Sequence, residues 1–164
     1  MLINPELVNA INAQIGREFG ASMQYLSIAG YFHAQKLTLI AKLFFEQAEE
    51  EKMHAMKFVH YVLDTQGELQ IPMIAAPTAS FANAEEAVQA ALTWETEVTG
   101  QINQLMDLAV SQNDYLAQNF LQWFVDEQLE EVTKMDQLLS VVRRAGERNL
   151  LMVEAYLIHI DKAG

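Results

Sequence analysis

Residues 67–83 read GELQIPMIAAPTASFAN, a long stretch without helical periodicity between two helical patterns. It holds two of the chain's three prolines, Pro72 and Pro77, and is too long for an ordinary connection between neighbouring helices. Fully extended, its seventeen or so residues reach roughly 55 Å. The helical pattern before it, from about Leu37 to Gln66, is roughly 45 Å long. The segment can therefore run the whole length of a helical bundle and return the chain to its starting end.

On either side of it, periodicity and punctuation outline five helices. The first starts at Asn4-Pro5-Glu6, a cap residue followed by proline at the first helical position, and reaches about His33. The second stops at Gly67, read as the terminal glycine. The third begins near Asn83, with Glu85 and Glu86 in its first turn, and ends near Ser111. After the turn at Asn113-Asp114, the fourth runs from about Tyr115 to Ala145 and stops at Gly146. A shorter fifth helix covers about Glu147 to Ile160. The expected architecture is all-α: one domain over 1–164, with a four-helix bundle at 4–145, a long crossover at 67–83 and a C-terminal helix at 147–160.

Composition agrees. Of 164 residues, 51% are hydrophobic, enough for a sizeable core, while seven glycines and three prolines leave long helices uninterrupted. The absence of cysteine removes disulfides, iron–sulfur clusters and thiolate-bound zinc. The formal charge of −12 disfavours nucleic acid and favours cations as partners. No run of about eighteen apolar residues could cross a membrane, and MLINPEL is not a secretory signal, so a cytoplasmic location is expected.

In the alternating three–four spacing of a bundle seam, the first helix gives Val8, Ile11, Ile15, Glu18, Ser22, Tyr25, Ala29 and Phe32. The second gives Leu37, Ala41, Phe44, Ala48, Glu51, Ala55, Phe58 and Val62. The third gives Val88, Ala91, Glu95, Val98, Ile102, Leu105 and Ala109. The fourth gives Ala117, Leu121, Phe124, Gln128, Glu131, Met135, Leu138 and Val142. Each seam is mostly apolar and carries one glutamate near its middle. Counted from the nearest helix ends, the four acids differ in height by only a turn or so, and the crossover topology would bring them together.

A lone seam glutamate is usually a solvated residue or a misread face. Four at one level are another matter. Two carboxylates about 4 Å apart repel by roughly 4 kcal/mol at an effective dielectric of 20. None of the ten Lys and Arg residues occupies a seam position, so the compensating charge is expected from solution, as metal. His54 follows Glu51 by three residues and forms a Glu-x-x-His pair on one helix face. Carboxylates with one imidazole suit iron or manganese.

These residues resemble the non-haem bacterial ferritins over nearly the whole chain. The resemblance rests on Glu18 and Tyr25, on EEEKMH at 49–54, on Glu95, and on FLQWFVDEQLEE at 120–131. It implies a ferritin-like fold and a hollow shell of twenty-four subunits, which oxidises Fe(II) with oxygen or peroxide and stores ferric mineral. It also implies that Glu18, Glu51 and His54 hold one iron, with Glu51 bridging to a second held by Glu95 and Glu131. Gln128 would hydrogen-bond near the oxygen side. Tyr25 would supply an electron, although spacing alone fits an ordinary buried aromatic equally well. Glu50, Glu127 and Glu130 point off the seam and read in isolation as a solvated face; the resemblance makes them a third iron site that shares Glu131.

Haem is not expected. The bacterioferritins place the haem-ligating methionine directly after the second-helix glutamate, where this chain has Lys52; Met53, one residue on, reads as packing. The fifth helix is apolar on almost every side, which implies burial against neighbouring subunits, and His159 on it reads as a channel residue or a cap. Two rivals stand beside the storage reading: another di-iron oxidase or peroxidase on the same bundle, and a metal-free helical interaction module.

Overall fold

A computed structural model describes residues 2–163. Helices α1 (Pro5–Ala34), α2 (Thr38–Asp64), α3 (Ala84–Ser111) and α4 (Tyr115–Ala145) form the bundle. A single 3₁₀ turn, Glu147–Asn149, then leads into α5 (Leu150–Ala163). Among the described residues there are no strands, and no helix is long and apolar enough to cross a membrane.

Local chemistry sets the helix ends. Asn4 accepts a hydrogen bond from the Glu6 amide at 2.9 Å with Pro5 behind it, and Asn83 and Asp114 cap α3 and α4 through Glu86 and Ala117. Helix α2 has no side-chain cap of its own; the Glu154 carboxylate of α5 accepts from the amides of Leu39 and Ile40 at 3.0–3.1 Å. Glu147 does the same for Ala84 and Glu85 of α3. The C-terminal segment thus closes two helix N-termini, where orphan amides and the helix dipole favour an anion. The left-handed residue after α2 is Gln66 (φ 59°), one position before the expected glycine; the Gly67 amide then bonds back to Val62. After α4, Gly146 takes the positive φ, as expected.

The crossover is laid along α1. Asn12 grips it twice, donating to the Glu68 carbonyl at 2.9 Å and accepting from the Gln70 amide at 3.1 Å, and Gln24 accepts from the Thr78 amide at 2.9 Å. Gly16 lets Pro72 approach: a Cβ there would lie 2.4 Å from its Cγ. Every residue of the four expected seams is buried. The core, however, is not continuous. One apolar cluster joins Tyr25, Phe32, Phe44, Val88 and Leu138; a second joins Ile11, Ile15, Phe58, Ile102 and Phe124. Between them the bundle is polar.

On α5 only Val153 and Leu157 are buried within the chain, and Leu151 and Met152 remain 74% and 66% exposed. The apolar excess expected from the sequence is thus on the surface of the chain. Met53, expected to pack, is also exposed. His159 lies exposed near the end of α5.

Candidate metal centre

Among the described residues, the only buried carboxylates are Glu18, Glu51, Glu95 and Glu131, one from each bundle helix. Buried glutamate is rare unless something compensates it. All four lie in the polar layer between the two apolar clusters, with His54, Gln128, Ser22, Gln14 and Gln47. Each helix supplies its acid in mid-seam, so the apolar residues above and below hold the carboxylates at one height.

The ligand atoms fall into two groups. One atom each from Glu18, Glu51 and His54 lie within 4.8 Å of one another, and so do one each from Glu51, Glu95 and Glu131. Glu51 belongs to both, the arrangement expected of a bridging ligand. His54 turns Nδ1 toward Glu51 Oε2 at 3.2 Å and Glu18 Oε2 at 4.0 Å. Its ring is held edge-on to Trp123 and Phe124, at centroid distances of 5.4 and 6.0 Å. Glu18 Oε2 and Glu51 Oε1 are buried with no hydrogen-bond donor. Buried acceptors rarely go unsatisfied, and oxygens with no donor beside an imidazole nitrogen are the donor set a hard or borderline cation requires.

Burial, first, pushes the carboxyl of Glu18 well up, and the nearby charge of Glu51 adds to it. Burial likewise lifts Glu51, with Glu95 next in effect. It lifts Glu95 too, against the lowering hydrogen bonds from Tyr25 and Gln128. Glu131 is pushed up to about 7 by burial, with Lys134 opposing the rise and Glu95 and Glu50 adding to it. Without a metal, this layer resists ionisation.

Several partners were not read from the sequence. Gln14, one turn before Glu18, donates to it at 2.7 Å and in turn accepts from Arg17 at 3.2 Å. Gln47, one turn before Glu51, donates across the bundle to Glu131. Buried amides four residues ahead of two seam acids were the available signal. Lys134 is the larger correction. It lies off the seam, but its ammonium reaches Glu131 at 3.3 Å, Glu50 at 3.4 Å and Gln47 at 2.8 Å. The expectation that the chain brings no positive charge to the acids fails here, because a lysine stem can carry its head past a helix edge.

The other expected residues are placed as follows. Tyr25 is fully buried and donates its hydroxyl hydrogen bond to Glu95. The Gln128 amide donates to Glu95 Oε2 and to the Glu95 carbonyl, both at 3.2 Å. Glu127 is half-buried, 3.8 Å from His54 Nε2, Glu50 is half-buried against Lys134, and Glu130 is exposed. Among the described residues, Glu50, Glu127 and Glu130 do not form a close ligand group.

The ferritin-like domain family matches residues 8–145. "Ferritin BfrB" of Mycolicibacterium smegmatis is 42% identical over 147 residues, covering 90% of this chain and 81% of that one. "Bacterial non-heme ferritin" of Staphylococcus aureus is 30% identical over 146 residues, covering 89% and 88%. An open-pore ferritin from Archaeoglobus fulgidus superposes with a TM-score of 0.91 at 32% identity, over 94% of this chain and 97% of that structure. Family match, relatives and superposition agree with one another and with the all-helical bundle: this chain belongs to the ferritin family.

Proposed function

We propose that the chain stores iron and is a ferroxidase: it binds Fe(II) at the buried acid layer, oxidises it, and passes ferric iron to the cavity of a shell of twenty-four copies. The observation that carries this reading is that the chain's only described buried carboxylates meet at one level, in two groups that share Glu51. Glu18, Glu51 and His54 would hold one Fe(II), and Glu51, Glu95 and Glu131 the other.

Holding two ions side by side lets two electrons pass together to oxygen or peroxide; with oxygen, two Fe(II) and two protons give two Fe(III) and hydrogen peroxide. The chain's own contribution is preorganisation. Trp123 and Phe124 hold the His54 ring, while Gln14, Gln128 and Tyr25 fix the rotamers of Glu18 and Glu95. The apolar clusters on both sides keep the layer dry. Tyr25 adds a buried hydroxyl beside the site, hydrogen-bonded to Glu95.

Iron oxidation on mixing anaerobic Fe(II) protein with air tests the reading. The initial rate should fall by at least about tenfold in Glu18→Ala and in His54→Ala, the usual loss on deleting a metal ligand's support. Wild-type initial rates in both variants would refute the site. Twenty-four copies of an 18.5 kDa chain come to about 440 kDa, so elution as a small oligomer would refute the shell.

A further inference from the structure

The Lys134 ammonium sits in a site built for a cation. Three oxygens surround it: Gln47 Oε1 at 2.8 Å, Glu131 Oε1 at 3.3 Å and Glu50 Oε2 at 3.4 Å. Glu131 and Gln47 are buried and come from different helices, and Gln47 is fixed by donating its amide to Glu131. Glu131 is also a member of the outer ligand group with Glu51 and Glu95. The stem of Lys134 starts one turn beyond Glu131 on α4 and crosses toward α2, with the side chain as a whole 38% exposed.

We propose that Lys134 is a built-in counter-ion that occupies the cation position between Glu50 and Glu131, and so confines each subunit to two metal ions and weakens the outer of them. This inference rests on the two-metal reading of Glu18, Glu51, His54, Glu95 and Glu131. An ammonium and a divalent ion cannot share Glu131 without repulsion, because both need its electron density and the surroundings are poor in water. Glu50 has its oxygen on Lys134, and Glu127 turns toward His54, so the acids around Glu131 are already engaged. In the metal-free state the lysine supplies part of the charge that the acid layer lacks. When metal binds, the lysine can swing outward, since its side chain is already partly exposed.

The test uses the intact protein and Zn²⁺, which has no redox chemistry. Anomalous diffraction from Zn²⁺-soaked crystals locates the ions, and calorimetric titration gives their affinities. Wild type should show two ions, one in each ligand group. Lys134→Met keeps the stem and removes the charge; it should show a third ion between Glu50 and Glu131, and binding at the outer group tighter by roughly tenfold or more. Lys134→Arg should behave as wild type. Without metal, Lys134→Met should also melt below wild type at pH 8, because Glu131 loses its cation. Lys134→Met with the wild-type number of ions and wild-type affinity would overturn the proposal while leaving the two-metal site intact. Wild-type crystals with no ion among the five ligands, and affinities unchanged by Glu51→Ala, would overturn the two-metal reading and this proposal with it.

Discussion

Replacing Glu131 by glutamine should make the metal-free protein more stable at alkaline pH, although it removes a metal ligand. The Glu131 carboxyl titrates at about 7 in the fold against an ordinary value of 4.5, chiefly because it is buried. A group whose pKa is raised by folding costs nothing below its unfolded pKa. The cost grows as pH rises through the window from 4.5 to 7 and is complete above it. At 1.36 kcal/mol per pH unit, the ionised carboxylate costs the folded state about 3 kcal/mol at pH 8, with the help of Lys134 already counted. Glutamine is nearly the same shape, can still accept the Gln47 hydrogen bond, and carries no charge. For a chain of this size about 3 kcal/mol corresponds to a rise of roughly 6–12 °C in Tm.

The assay is thermal unfolding of chelator-treated protein, followed by circular dichroism at pH 8 and at pH 4.5. At pH 4.5 wild-type Glu131 is protonated in the fold, so the gain should shrink to under about 1 kcal/mol. Zn²⁺ should reverse the order at pH 8. Wild type gains about 4.1 kcal/mol when free metal stands at about 1,000 times its Kd, more than the roughly 3 kcal/mol difference, and the variant, missing a ligand, gains far less. A Glu131→Gln protein no more stable than wild type at pH 8, or stabilised equally at both pH values, would refute the electrostatic account of the layer.

Two further outcomes concern the frame. Gly16→Ala should destabilise by about 1–3 kcal/mol and quicken proteolysis within 67–83, because the new Cβ would lie 2.4 Å from Pro72 Cγ; unchanged Tm and cleavage would mean the crossover is not pinned there. Glu154→Ala removes the acceptor for the Leu39 and Ile40 amides, and should cost about 1 kcal/mol and speed amide hydrogen exchange at the start of α2.

The bundle, the crossover and the acid layer could be read from residue order. Glu18, Glu51, Glu95 and Glu131 were legible because helix periodicity is local: a residue's place in a three–four pattern decides which way it faces, and a charge in an apolar stripe stands out. The crossover was legible from its length and prolines. The second circle of contacts forms only when the helices pack. Gln47 meets Glu131 across 84 positions, and Glu154 caps α2 through Leu39, 115 positions earlier. No local pattern encodes such pairs. Lys134 was missed for a related reason: periodicity fixes where a Cα sits, whereas a flexible four-carbon stem places its charge several ångströms away. The acids are therefore written in the sequence, and the cation that meets them appears only once α2 and α4 are packed.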